Sequence, residues 1–152
     1  MYNQEIMRIL TNWLAKQHAY SITGQWHTED TTMKGNAKGK HRILDVVIKK
    51  PAEPTIVLEF LATNEGSDVK AHLDKTPIYK NRVSAEAAWV IHFTREDDYL
   101  NYAYWPSDEI LNEDVYMMHI WHNADFTEVW MSARWKDMDG SIQKIENQSL
   151  IV

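Results

Sequence analysis

The chain has 152 residues, of which 25% are charged and 44% hydrophobic, and its net charge is −6. This composition is typical of a folded domain and excludes collagen-like and low-complexity classes. The absence of cysteine excludes disulfides, zinc–thiolate sites, iron–sulfur clusters and cysteine nucleophiles. Because apolar runs stay far below the ~20 residues that span a bilayer and no signal peptide is recognisable, we expect an intracellular protein (cytoplasm or nucleus) that uses no membrane.

The first 95 residues alternate between helical and strand-like patterns. Ile6, Leu10 and Trp13 recur at helical spacing in the first segment, whereas the later apolar runs are short and typical of strands. Pro51 and Pro54 predict a tight turn between two strands. The predicted elements are a helix over 2–17, strands over 20–26, 41–49 and 55–62, a helix over 69–85 that is disturbed near Pro77, and a strand over 88–94.

The last third of the chain is predicted to be β-rich after an acidic segment. Strands are expected over 115–122 and 128–135, and an Asp-Gly turn at 139–140 predicts a hairpin with 141–145. The order α-β-β-β-α-β with a β-rich tail predicts a single α/β domain over 1–152. Its core would cover about residues 1–95 and its C-terminal β-rich extension about 96–152.

Two carboxylates stand out because each lies inside an apolar strand. Asp45 is within the run 43–48 and Glu59 within the run 56–61, and acids are rarely buried without a partner. If the two strands form an antiparallel hairpin, the side chains lie side by side on one face. Such a pair repels unless a cation such as Mg²⁺ lies between them, where it can activate water. The alternatives are structural: Asp45 bonds nearby backbone, and Glu59 pairs with a Lys or Arg.

This order of elements, with an acid in each of two adjacent strands, resembles the PD-(D/E)xK, or restriction-endonuclease-like, nuclease superfamily over about residues 1–95. The resemblance implies an α-β-β-β-α-β core with a mixed sheet and cleavage of phosphodiester bonds in DNA or RNA. It also implies Mg²⁺ or Mn²⁺ held by Asp45 and Glu59, with Glu5 on the first helix as an auxiliary acid.

The chain departs from the family pattern at the lysine of the Glu-x-Lys element. Leu61 stands at that position, two residues after Glu59. Some members recruit a lysine from another element. Lys49 shares a strand face with Asp45 by period-two alternation. The other two candidates, Lys70 and Lys75, lie on the following helix.

A narrower resemblance covers most of the chain. Stretches 57–62, 71–73, 89–94 and 131–136 are similar to fungal proteins of expanded families, some of them related to nuclease-like domains of Crinkler-type effectors. In such families activity often decays while the fold persists. The alternative function is therefore a non-catalytic nuclease-fold module that binds nucleic acid, a protein or a second copy. The surface for a protein or a second copy would be aromatic. Trp121, Trp130 and Trp135 are expected either to stack on bases or to serve core packing or an oligomer interface.

The basic residues are concentrated in one segment. Six of the 16 lysines and arginines fall within positions 34–50, while positions 96–114 hold seven acids and no lysine or arginine. A local basic face can attract phosphates on an acidic protein. The segment is either a solvated loop and strand edge or a nucleic-acid contact, whose residues would be Lys34, Lys38, Lys40 and Arg42.

The histidines offer weaker signals. His72 would share a helix face with Lys75 and Tyr79, directed either to solvent or to the metal site. His92 lies in an apolar strand and is expected to be a hydrogen-bonded core residue. His119 and His122 are three apart on a predicted strand, so they should point to opposite faces. Glycine-rich nucleotide loops, Gly-x-Ser-x-Gly and His-Glu-x-x-His are absent.

Overall fold

The structure, a computed structural model, describes residues 2–30, 40–62, 66–95 and 103–150. For residues 2–3, 25–30 and 40–44 it describes the backbone alone. Within these ranges, no helix combines the length and the apolar composition that a membrane crossing requires.

In the described part of the chain, four α-helices accompany the sheet: α1 (Tyr2–Leu10), α2 (Lys16–His18), α3 (Gly66–Arg82) and α4 (Asp108–Asn112). A π-helical turn, Thr11–Ala15, joins α1 to α2, and Ala19 ends the segment in the left-handed region at φ 59°. The helix predicted over 2–17 is therefore present as three consecutive pieces. The disturbance predicted near Pro77 is wrong, since α3 continues through that residue to Arg82.

Among the residues that the structure describes, seven strands form one sheet in sequence order. They are β1 (Ser21–Asp30), β2 (Lys40–Lys49), β3 (Ile56–Ala62), β4 (Ala87–Thr94), β5 (Val115–His122), β6 (Val129–Lys136) and β7 (Ile142–Ser149). The central strands β3, β4 and β5 are parallel, and every other neighbouring pair is antiparallel. The crossover from β3 to β4 contains α3, as parallel pairing requires. The α/β class expected from the sequence is confirmed.

The two faces of the sheet bury separate cores. Val57, Leu61 and Val90 pack beneath Val69 and Leu73 of α3, and we call this side the α3 face. On the other side, the α1 face, the buried residues Val46, Ile48 and Phe60 are covered by apolar side chains of the first helical segment: Ile6, Met7, Leu10 and Leu14. Alternation along each strand therefore decides which side chains meet α3.

Two elements differ from the expected bounds. Strand β1 extends to Asp30, into the region predicted as a loop, because its backbone pairs with β2 as far as Lys40. Helix α4 lies in the acidic segment, where no helix was predicted. Its local signal is an N-cap: the Ser107 hydroxyl accepts from the Ile110 N–H at 3.4 Å, and two acids occupy the first turn.

Candidate functional site

The two strand acids lie directly opposite each other. Asp45 of β2 and Glu59 of β3 are partners in the antiparallel register, so both point to the α3 face. Their residues are 5% and 3% exposed. Opposed side chains in such a pair typically have Cβ atoms about 5 Å apart. The expectation that the acids lie side by side is therefore met, and both are buried.

Helix α3 supplies partners for Glu59. Its sheet-facing side chains recur at helical spacing and include His72 and Thr76, one turn apart. The Thr76 Oγ1 lies 2.9 Å from Glu59 Oε2 and 3.0 Å from the His72 carbonyl oxygen, and its single proton can serve one of these acceptors. His72 Nε2 forms a close buried pair with the same Glu59 Oε2. The sequence suggested Lys or Arg as partner, whereas the structure uses a histidine and a threonine.

The two acids also affect the pKa of the Tyr79 hydroxyl. Burial is the main reason why the pKa of its hydroxyl is raised, and the negative charges of Asp45 and Glu59 add to that effect. Arg82 opposes the shift. Tyr79 therefore remains protonated at neutral pH, so its hydroxyl can act as a hydrogen-bond donor. Of the two alternatives left open for this helix face, His72 and Tyr79 follow the one directed to the acids, whereas Lys75 is exposed.

Glu5 is separated from the acid pair by the sheet. It lies on α1, whose apolar side covers the opposite face. Its carboxylate is exposed and accepts from Arg8, whose Nε lies 2.9 Å from Glu5 Oε2. The hydrogen bond from Arg8 lowers the pKa of Glu5. In this structure Glu5 thus serves a local ion pair on the helix surface.

Leu61 explains why a lysine is absent from the Glu-x-Lys position. The side chain is 2% exposed and packs with Val69 and Leu73 on the α3 face. Its cross-strand partner on β4 is His92. A cation at this position would stand inside the core cluster and not in a cleft.

The substitute lysines occupy three different places. Lys49 is exposed at the end of β2, four residues and hence about 13 Å along the strand from Asp45. Lys70 is exposed and pairs with Asp74, with its Nζ 2.7 Å from Oδ2. Lys75 is exposed on α3, three residues after His72 and four before Tyr79.

The basic segment is described only in part. Lys34 and Lys38 lie outside the described residues. The backbones of Lys40 and Arg42 belong to β2, opposite Asp30 and Thr28 of β1. The nucleic-acid contact proposed for these four residues stays a prediction.

A second buried polar cluster lies farther along the α3 face. His92 and His119 are partners in the parallel register of β4 and β5, and both are fully buried. Their Nδ1 atoms are 3.0 Å apart. His92 is indeed a hydrogen-bonded core histidine. Sequence reasoning missed the contact itself, because it depends on the register of two strands whose histidines are 27 residues apart.

The remaining candidates serve packing or local bonds. Trp135 packs against Trp89, with ring centroids 6.2 Å apart. Trp121 and Trp130 are cross-strand partners, and Trp130 is 36% exposed. His122 contacts the Asn123 carbonyl oxygen at 2.8 Å through Nδ1.

Among the described residues, no three histidine or acidic side chains converge closely enough to form a metal-binding group. Asp45 and Glu59 alone match the one or two carboxylates that Mg²⁺ uses together with water. Comparisons with protein-family models, with curated proteins and with solved structures gave no match.

Proposed function

We propose that the chain is a metal-dependent nuclease-like module that acts on phosphodiester bonds of DNA or RNA. The main support is the direct opposition of Asp45 and Glu59 on neighbouring strands of one sheet face. Two adjacent carboxylates attract a hard divalent cation, Mg²⁺ or Mn²⁺, that completes its shell with water. Such a cation would lower the pKa of its water and offset charge on the phosphoryl group.

The order of elements supports a restriction-endonuclease-like core as part of this proposal. The helical segment from α1 to α2 is followed by the antiparallel strands β1 to β3, then α3, then β4 parallel to β3. The first four strands are neighbours in that same order. Under this proposal β5, β6 and β7 extend the core sheet at its β4 edge.

Lys75 is the best placed of the candidate lysines. His72 lies three residues before Lys75 and contacts Glu59. Tyr79 lies four residues after Lys75, and its pKa is raised in part by the charges of both acids. Residues three and four apart on a helix are neighbours on its surface. Lys49 is about 13 Å along β2 from Asp45, and Lys70 is paired with Asp74. We therefore assign the role of the missing motif lysine to Lys75.

The test begins with calorimetric titration of Mn²⁺ and Mg²⁺ into the wild-type protein, Asp45→Asn and Glu59→Gln. Both variants keep the shape of the side chain, and the exposed Glu53→Gln is the matched control. We expect saturable binding in the wild type and the control and none in the two acid variants. Absence of both metal binding and cleavage of single- and double-stranded DNA and RNA in the wild type would overturn the proposal.

Cleavage assays then examine the lysine. We expect Lys75→Gln to bind the metal as the wild type does but to lose cleavage. The exposed, ion-paired Lys144→Gln is the control and should retain both activities. Cleavage that persists in Lys75→Gln rejects the assignment of this lysine while leaving the metal site intact.

The second candidate function is a non-catalytic module with the same fold. It is favoured by Leu61, a buried core residue at the position of the motif lysine. It is also favoured by the contacts of Glu59 with His72 and Thr76, which occupy the carboxylate oxygen that a metal would need. This candidate predicts partner binding without cleavage. A wild-type protein that binds nucleic acid but no metal, and leaves every tested substrate intact, would select it.

A further inference from the structure

The buried histidine pair has a defined pattern of protons. His119 Nε2 lies 2.7 Å from the Tyr104 carbonyl oxygen, and a carbonyl can only accept, so this nitrogen carries a proton. In neutral His119 the other nitrogen, Nδ1, is then an acceptor. His92 Nδ1 lies 3.0 Å away and must donate to it. Neutral rings therefore form a directed chain from His92 through His119 to Tyr104.

This chain ties a connecting segment to the sheet. Besides the bond at Tyr104, the Trp105 ring meets His119 edge-on with centroids 4.7 Å apart. The Arg134 guanidinium of β6 lies over the same Trp105 ring, 4.4 Å from its centroid. Residues 103–107, which lead directly into α4, are thus held over the α3 face by His119 together with the apolar packing of Ala103, Tyr104 and Trp105.

An added proton cannot be accommodated in this arrangement while His92 keeps its own proton on Nδ1. Protonating Nδ1 of His119 turns the acceptor into a second donor that faces the N–H of His92. Burial and the neighbouring His92 lower the pKa of His119 to about 3; the Tyr104 carbonyl opposes that shift and Arg134 adds to it. In the closed form His119 therefore stays neutral around pH 6.5, where a free histidine takes up a proton.

Other charged groups on the surrounding elements do not favour protonation of His119. On α3, His72 is paired with Glu59 of β3, and Lys80 acts on Asp114 at the other end of the sheet. Asp45 lies opposite Glu59, one strand farther from the histidine pair. The flanking strand partners are uncharged: Leu61 beside His92 and Ser132 beside His119. Arg134 is the cation that acts on His119, and it too disfavours protonation.

We propose that the His92–His119 pair is an acid-released latch, which holds residues 103–107 on the sheet at neutral pH and lets them lift away as the pH falls toward 5. Lifting exposes His119 to water, where it takes up a proton. Ser107, at the end of this segment, is the N-cap of the five-residue helix α4, so release also opens the first turn of α4.

The size of the effect follows from linkage. If only the open form binds the proton, the opening constant is proportional to one plus the ratio of protonated to neutral free histidine, and between pH 7.5 and pH 5 this factor rises about 30-fold. The value depends on the ordinary pKa of histidine near 6.5 and requires only that His119 stay neutral in the closed form.

Hydrogen exchange measures the opening directly. The Leu111 amide donates to the Ser107 carbonyl at 3.0 Å, so its exchange, corrected for intrinsic rates, reports release of the segment. We expect its opening constant to rise about 30-fold between pH 7.5 and 5, while amides of the β2–β3 ladder stay unchanged. His119→Gln keeps a donor for Tyr104 but cannot titrate, and should remove the rise. His122→Gln, on the same strand, should retain it.

Three results would overturn the latch. A constant Leu111 opening in the wild type would show that protons do not release the segment. An equal rise at Leu111 and throughout the β2–β3 ladder would show acid unfolding of the whole chain, and this comparison needs no variant. A rise that persists in folded His119→Gln would assign the effect to a different group.

Discussion

Restoring the missing motif lysine should destabilise this protein. Leu61 lies in the core cluster under Val69 and Leu73 and is 2% exposed. In Leu61→Lys the stem can fill much of the leucine volume, but the ammonium group enters an apolar environment. Glu59, the nearest acid along the strand, is already engaged by His72 and Thr76. The new cation therefore has no prepared partner.

The size of the loss has an upper limit, because a buried lysine can release its proton. Its ordinary pKa is about 10.4, so deprotonation at pH 7 costs about 3.4 pH units, or about 4.6 kcal/mol. We expect a loss close to this limit, about 4.6 kcal/mol, in the free energy of unfolding at pH 7. This is a large fraction of the 5–15 kcal/mol typical of a domain.

The pH dependence identifies the cause. A folded pKa that is depressed below the unfolded value means that the unfolded chain binds more protons, so stability rises with pH. Between pH 7 and 9 the variant should regain about 2.7 kcal/mol relative to the wild type. Urea denaturation at pH 7, 8 and 9 measures this difference. Leu61→Met, which conserves volume, should lose less than about 1.5 kcal/mol at every pH.

One outcome would refute the reasoning. If Leu61→Lys lost less than about 1 kcal/mol at pH 7 and showed no recovery at pH 9, the lysine would be charged and paired with Glu59. Position 61 would then open onto an accessible site. A gain of cleavage in the same variant would make it a direct repair of the nuclease motif.

Three further predictions concern single contacts. Thr76→Val removes a donor to buried Glu59 and should lower the free energy of unfolding by about 1–3 kcal/mol in urea, with Thr76→Ser close to wild type. Asp114 is partly buried, but hydrogen bonds from Lys136 and Tyr116 give it a net lowered pKa. Lys136→Met should therefore lose less than about 1 kcal/mol at pH 7, and the difference should fade below about pH 4. Burial, with the hydrogen bond and charge of Asp114, raises the pKa of Tyr116 to about 12. Subtracting the ultraviolet pH titration of Tyr116→Phe from that of the wild type isolates the ionisation of Tyr116. Its midpoint should lie at about 12, and a midpoint near 10 would contradict the raised pKa.

The acid pair could be predicted because its determinants are local. Period-two alternation fixes the face of each acid, and the short proline-bounded turn between β2 and β3 makes the two strands neighbours. Asp45 and Glu59 then meet in register, as the structure has them. The same local signals gave most strand positions, since apolar runs bounded by turn residues have few alternative arrangements.

The partners of the acids could not be predicted in the same way. His72 and Thr76 reach Glu59 because α3 lies over the sheet at one particular rotation, which is set by the packing of Val69 and Leu73. A helical pattern tells which side chains share a face but not which strand they meet. The contact of His92 with His119 likewise depends on a parallel register between distant segments.

Closure of the acid pair gives α3 a direct role in the proposed function. A cation between Asp45 and Glu59 needs carboxylate oxygens, yet Glu59 Oε2 is held by His72 and Thr76 of that helix. Metal binding and the present packing of α3 therefore compete for the same atom. Because a buried charge must keep a partner, Glu59 exchanges the helix contacts for the cation and does not lose both. Saturating Mn²⁺ should thus increase hydrogen exchange in α3 if the chain is a nuclease, whereas a non-catalytic module would keep α3 equally protected with and without metal.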